Sequence, residues 1–152
     1  MPRTISLGVF DNGAKPAHSA IFIPTDGQGL KGKIIHVTGN PATGFFLEFK
    51  RNYDFLAELR TYEIIPLAQV NDRYVRDTVG SGQESIDTIA RDRLESVATV
   101  VPAPGRSVNP FDPSAPNCQN WIQDYIQKLI SEGLIAGDAS LVLQAAPRVL
   151  RK

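Results

Sequence analysis

Five short runs of strand-forming residues crowd the first seventy positions, each closed by glycine, proline, asparagine or aspartate, and this spacing points to a sheet built of hairpins. Residues 4–10 alternate and stop at Asp11-Asn12-Gly13. Residues 17–23 follow Pro16 and set His18, Ala20 and Phe22 on one face, Ser19, Ile21 and Ile23 on the other. The glycine-rich stretch 25–32 turns the chain into residues 33–38, where His36 shares a side with Ile34 and Thr38 and Gly39-Asn40-Pro41 ends the run. A fourth strand is expected over 44–50. A fifth, over 61–70, contains Pro66, which removes a ladder donor and marks an edge or a bulge. Between these two, residues 52–60 read as a short connection with one helical turn, and residues 71–83 as loop.

The pattern then changes period. Ile86, Ile89, Ala90, Leu94 and Val97 fall at helical spacing, which predicts a helix over 85–98. Residues 101–117 hold five prolines without periodicity and read as a long crossing or a lid. The clearest amphipathic helix follows, from 119 to about 131, with Cys118, Trp121, Ile122, Tyr125, Ile126, Leu129 and Ile130 on one face. Asn117 is a good N-cap, Gly133 ends the element, and Asp138 caps a last helix from 139 to about 150 that Pro147 weakens. The fold class is therefore α+β: an antiparallel sheet of about five strands packed against helices, as one domain over 1–152.

Charge and composition exclude several functions. Sixteen basic residues balance sixteen acidic ones and no Lys/Arg run exceeds two, so a nucleic-acid partner is not expected. No apolar run is long enough for a membrane span, and the apolar stretch of the first twelve residues is too short for a secretory signal. A single cysteine permits no internal disulfide, in keeping with a reducing, cytoplasmic location. One cysteine and two histidines cannot furnish the usual four ligands of a structural zinc site, and no cofactor is expected.

Cys118 is the residue with chemistry to offer. It stands at the first turn of a helix, where unpaired backbone N–H groups and the helix dipole favour a thiolate. Its bland reading is a packed core thiol, since free cysteine is among the most buried residue types. Against that stand His18 and His36, the only two histidines, each within an apolar strand. A hairpin that pairs residues of equal parity, for instance His36 opposite Ala20, brings both rings to one side of the sheet. His18 could then take the thiol proton, His36 could hold His18 in tautomer and orientation, and the Cys118 N–H could serve as an oxyanion donor. Trp121 and Tyr125 read as core.

Three short motifs in order carry a resemblance: His18-Ser19-Ala20-Ile21-Phe22, Ile34-Ile35-His36-Val37 and Asn117-Cys118-Gln119-Asn120-Trp121. The chain resembles the circularly permuted papain-like proteins, especially those similar to lecithin:retinol acyltransferase and, more distantly, the NlpC-like cell-wall peptidases. The likeness runs from about residue 4 to 129. Asn120 departs from it, standing where the animal lipid enzymes carry a histidine, and so does a longer hairpin loop. The resemblance implies a permuted papain-like fold and a thiol-dependent hydrolase or acyltransferase, with Cys118 as nucleophile, His18 as base and His36 as orienting group. The partner it implies is a peptide or small acyl substrate presenting an amide, thioester or ester. The alternative is a non-catalytic binding module on the same scaffold.

Overall fold

Strands that are apolar on both faces need cover on both, and the computed structural model, which describes residues 2–12, 17–109, 111 and 117–146, supplies it unequally. The sheet has six antiparallel strands: β1 (Pro2–Phe10), β2 (His18–Pro24), β3 (Lys31–Asn40), β4 (Gly44–Asp54), β5 (Tyr62–Asn71) and β6 (Ser85–Asp87), in the order β5-β1-β2-β3-β4-β6. Three helices accompany it: α1 (Arg93–Thr99), α2 (Cys118–Ser131) and α3 (Ala139–Ala145). The α+β expectation holds, with one strand more than foreseen.

One face carries the main core. Ile5, Leu7 and Val9 of β1, Ile21 and Ile23 of β2, Ile35 and Val37 of β3 and Phe49 of β4 pack against Leu94 of α1 and Trp121, Ile122, Tyr125 and Leu129 of α2. Trp121 stacks on Tyr125 with centroids 5.0 Å apart, and each buried ring satisfies its polar atom: Trp121 Nε1 donates to Val101 O and Tyr125 Oη to Leu94 O. The opposite face holds a smaller aromatic cluster of Phe10, Ala20, Phe22, Ile34, Tyr53 and Phe55. Phe55 lies in a short 3-10 turn, 55–57, which follows β4 and folds back over that face.

Two bulges tune which residues meet. In β5, Ser6 pairs with Pro66 and Ile5 with Ala68, so Leu67 is the extra residue and the proline sits on an edge strand. In β4, Ile34 pairs with Lys50 but Gly32 with Tyr53, so two residues, Arg51 and Asn52, oppose Lys33; Asn52 takes φ 55°. That insertion returns Tyr53 to the face of Lys50. Gly32 has its own reason, since a Cβ there would stand 2.2 Å from the Ile23 carbonyl oxygen.

The helix expected over 85–98 is corrected. Ser85–Asp87 forms edge strand β6, with Ile86 opposite Lys50, and the helix begins only at Arg93, where the Asp92 side chain accepts from Glu95 N. Ile86 and Ile89 are exposed, so their helical spacing marked no buried stripe. In the crossing 101–117, the described part is pinned to the β3–β4 turn: Phe45 N donates to Pro104 O and Ser107 N to Pro41 O, both at 2.7 Å. Its prolines 110, 113 and 116 lie outside the described residues, as does the expected helix beyond 146.

Candidate functional site

His18 opens β2 and His36 lies in the middle of β3. The ladder pairs Ile21 with Ile35 and Phe22 with Ile34, residues of equal parity, and this register directs both imidazoles to the aromatic face. The rings meet edge to face at 73°: centroids are 4.9 Å apart, and His18 Nε2 lies 2.7 Å from His36 Nδ1. The chain of bonds runs one step further, because His36 Nε2 lies 2.9 Å from Glu48 Oε1. Glu48 is the residue directly across from His36 in the β3–β4 ladder.

Around these rings stand Phe10, Ile34, Lys50, Tyr53 and Arg60. The Arg60 guanidinium covers the Phe10 ring at 4.5 Å, Lys50 Nζ lies 5.4 Å from the Tyr53 ring centre, and Arg60 is bonded to Glu58, which also accepts from the Tyr53 hydroxyl. Burial disfavours an imidazolium here, and the surrounding positive charge adds to it. His18 is pushed down to about 3 by burial, then by His36, Arg60 and Lys50; His36 is pushed down to about 3 by burial, then by Lys50 and Arg60. At neutral pH both rings are uncharged, so one nitrogen of each is a donor and the other an acceptor.

Cys118 comes to the same point of β2 from the helix side. Its sulfur lies 3.9 Å from the Ala17 carbonyl oxygen, and the backbone N–H of Ser19 also points to it, so the thiol packs on the main chain to either side of His18. Gln119 reinforces the contact by donating from Nε2 to the same Ala17 oxygen at 3.0 Å. The His18 ring packs against Phe10 and bonds His36, while the sulfur bonds the Ala17 carbonyl. The structure therefore joins His18 to His36 directly, and joins Cys118 to the backbone that carries His18.

The helix-start argument for an easily ionised thiol is overturned. Cys118 is buried, and burial raises its pKa above the usual thiol value; the N–H groups of Ser19, Cys118 and Gln119 oppose this without reversing it. The cap itself is as expected. Asn117 Oδ1 accepts from Gln119 N, and Asn120 Oδ1 accepts in return from Asn117 N, each at 2.9 Å. Replacing Asn117 with alanine is expected to cost about 1 kcal/mol in urea denaturation, the usual worth of such a cap. A loss below a few tenths of that would show that the first turn is held by the Gln119–Ala17 contact instead.

Glu48, Lys50, Tyr53 and Arg60 were absent from the sequence reading. Glu48 alone had a readable signal: if Gly39-Asn40-Pro41 opens a tight turn and strand four starts at Gly44, the hairpin register sets residue 48 against residue 36. Among the described residues no group of three or more His, Cys, Asp and Glu side chains is placed to hold a metal ion, and no helix is long and apolar enough to cross a membrane.

One family model matches residues 5–136, nearly the whole of the described chain. The chain belongs to DUF6540, a family of unknown function. DUF6540 thus takes in all six strands but β1's first residues, both histidines, Glu48, Cys118 and helix α2. No curated protein and no solved structure matches the chain.

Proposed function

We propose that this protein is a thiol-dependent hydrolase or acyltransferase of permuted papain-like type, with Cys118 as nucleophile, His18 as base and His36 as the group that orients His18. The observation that carries the reading is the use of the His18 ring. Its Nε2 is committed to His36 at 2.7 Å, which leaves Nδ1, the nitrogen nearer the main chain, on the residue whose backbone the Cys118 sulfur packs against.

The chemistry follows in two halves. The reaction requires Cys118 Sγ to leave the Ala17 carbonyl and reach His18 Nδ1, which takes the thiol proton as sulfur attacks the carbonyl carbon of an amide, thioester or ester; a C–S bond forms, and the carbonyl oxygen becomes an oxyanion beside the N–H groups of the helix start. The tetrahedral species collapses, the bond to the leaving group breaks, and the proton passes from His18 to that group. Water, or an acceptor alcohol or amine, then gives its proton to His18 and attacks the acyl-enzyme, and the thiol is regenerated. Because burial raises the thiol and lowers the imidazole, the resting pair is neutral, and the proton moves together with the attack.

The buried, backbone-bonded sulfur is also what a non-catalytic binding module would have, and this is the second reading. One experiment separates them. With a single thiol in the chain, p-nitrophenyl acetate followed by peptide mapping in the mass spectrometer separates acylation of Cys118 from that of lysine amines. The catalytic reading expects native protein to be acylated at neutral pH and His18→Ala to be slower by about 100-fold or more, the usual worth of a general base. Acylation only after unfolding, or at equal rates in wild type and His18→Ala, would overturn the catalytic reading.

A further inference from the structure

The bond from His36 to Glu48 decides more than the orientation of one ring. A carboxylate oxygen accepts, so His36 Nε2, 2.9 Å from Glu48 Oε1, is the nitrogen that holds the proton. A neutral imidazole has one N–H, so His36 Nδ1 carries a lone pair. That lone pair faces His18 Nε2 at 2.7 Å, so His18 Nε2 is protonated and donates. His18 then has its own lone pair on Nδ1. We propose that Glu48 sets the tautomers of both histidines and thereby delivers a basic Nδ1 on His18. Glu48 touches neither sulfur nor substrate in this scheme; it is a positioning residue that acts through two rings.

Three features of the fold make the arrangement stiff. Glu48 and His36 are cross-strand partners in the β3–β4 ladder, so backbone hydrogen bonds fix their separation. The β2–β3 ladder, which runs from Ile21 and Ile35 to Pro24 and Gly32, sets His18 and His36 on the same face of the sheet. Lys50 and Arg60, the charged groups that flank the rings from β4 and from the segment after it, oppose a third proton that would let the chain of bonds reverse.

The catalytic consequence rests on the reading of His18 as base, whereas the tautomers do not, and the test keeps them apart. The two histidines give four ring nitrogens, which two-bond 1H–15N spectra of 15N-histidine-labelled protein at pH 7 resolve. Wild-type protein is expected to show both rings protonated at Nε2 and bare at Nδ1. Glu48→Lys replaces the acceptor with a donor, and is expected to reverse both rings and to slow p-nitrophenyl acetate acylation of Cys118 by at least tenfold. A wild-type spectrum with the proton on Nδ1 of either ring overturns the inference without recourse to any variant. So does a folded Glu48→Lys protein with unchanged tautomers. If the spectra behave as expected and wild-type Cys118 is not acylated, Glu48 still governs the ring pair and it is the catalytic reading that fails.

Discussion

Replacing Glu95 with alanine is expected to cost about 3 kcal/mol of folding stability, the lower end of the 3–5 kcal/mol range for breaking a buried ion pair by removing one partner. Glu95 lies in α1, is wholly buried, and faces two cations that are nearly so: its Oε2 accepts from Lys33 Nζ and from Arg51 Nη1, each at 2.6 Å, and its Oε1 from Arg51 Nη2 at 2.9 Å. Loss of the carboxylate strands both charges on the helix side of the sheet. The cost stays at the low end because neither cation is left alone. Lys33 keeps Asp92 at 2.6 Å and the Arg76 carbonyl, and Arg51 keeps both oxygens of Asp87. Glu95→Gln is expected to be nearly as harmful, since it turns an amide N–H toward groups that can only donate. Urea denaturation should show a lower midpoint at an unchanged slope. A change under 1 kcal/mol would mean that water or side-chain rearrangement solvates Lys33 and Arg51, and that the cluster does not tie α1 to β3 and β4. Because the cluster and the imidazoles lie on opposite faces, the His18–His36 spectra should be the same in both Glu95 variants.

How much of this was legible depended on whether the deciding contact was local. Strand alternation is local, and so the faces of His18 and His36 can be assigned; hairpin parity then brings the rings to one side. The Asn117 cap was equally readable. The sequence reading failed where partners came from far along the chain. Ile86 and Ile89 have helical spacing, yet Ser85–Asp87 is claimed by the open edge of β4, and Asp87 by Arg51 thirty-six positions away. The charged cluster of Lys33, Arg51, Asp92 and Glu95 has no sequence signature, because each member alone reads as a surface residue. Cys118 fails for the same reason: its helix start argues for a thiolate, whereas the backbone that buries it lies about a hundred positions upstream, at Ala17 and Ser19. Local electrostatics and long-range burial pulled against each other, and burial won.

Acid is expected to unfold the protein in two stages, and the first belongs to the histidine pair. Both imidazoles have folded-state pKa values of about 3 against an ordinary 6.5, so the unfolded chain binds protons that the folded one refuses. The sign follows from that difference. Above pH 6.5 neither state is protonated and the pair has no effect; as pH falls below 6.5 stability is lost, and the loss continues until the folded rings titrate near 3. Between pH 8 and pH 5 the expected loss is about 2 kcal/mol for His36, which is buried, and less for His18, whose ring is partly open to solvent. The carboxylates give a separate, later stage. Glu58, held down to about 2 chiefly by Arg60, together with Asp77, Asp87 and Glu95, has a lowered pKa, so the stability these groups contribute is lost only below about pH 4.5. Urea midpoints from pH 8 to pH 5 therefore read the histidines with little interference. The double variant His18→Gln and His36→Gln should remove the slope in that window and keep the drop below it. A wild-type curve that is flat from pH 8 to pH 5 would mean that the pair accepts a proton in the folded state at ordinary pH, for instance as an imidazolium paired with Glu48. A proton held on His36 in this way would make its Nδ1 a donor to His18 Nε2, so that His18 would carry its N–H on Nδ1 and could not take the thiol proton.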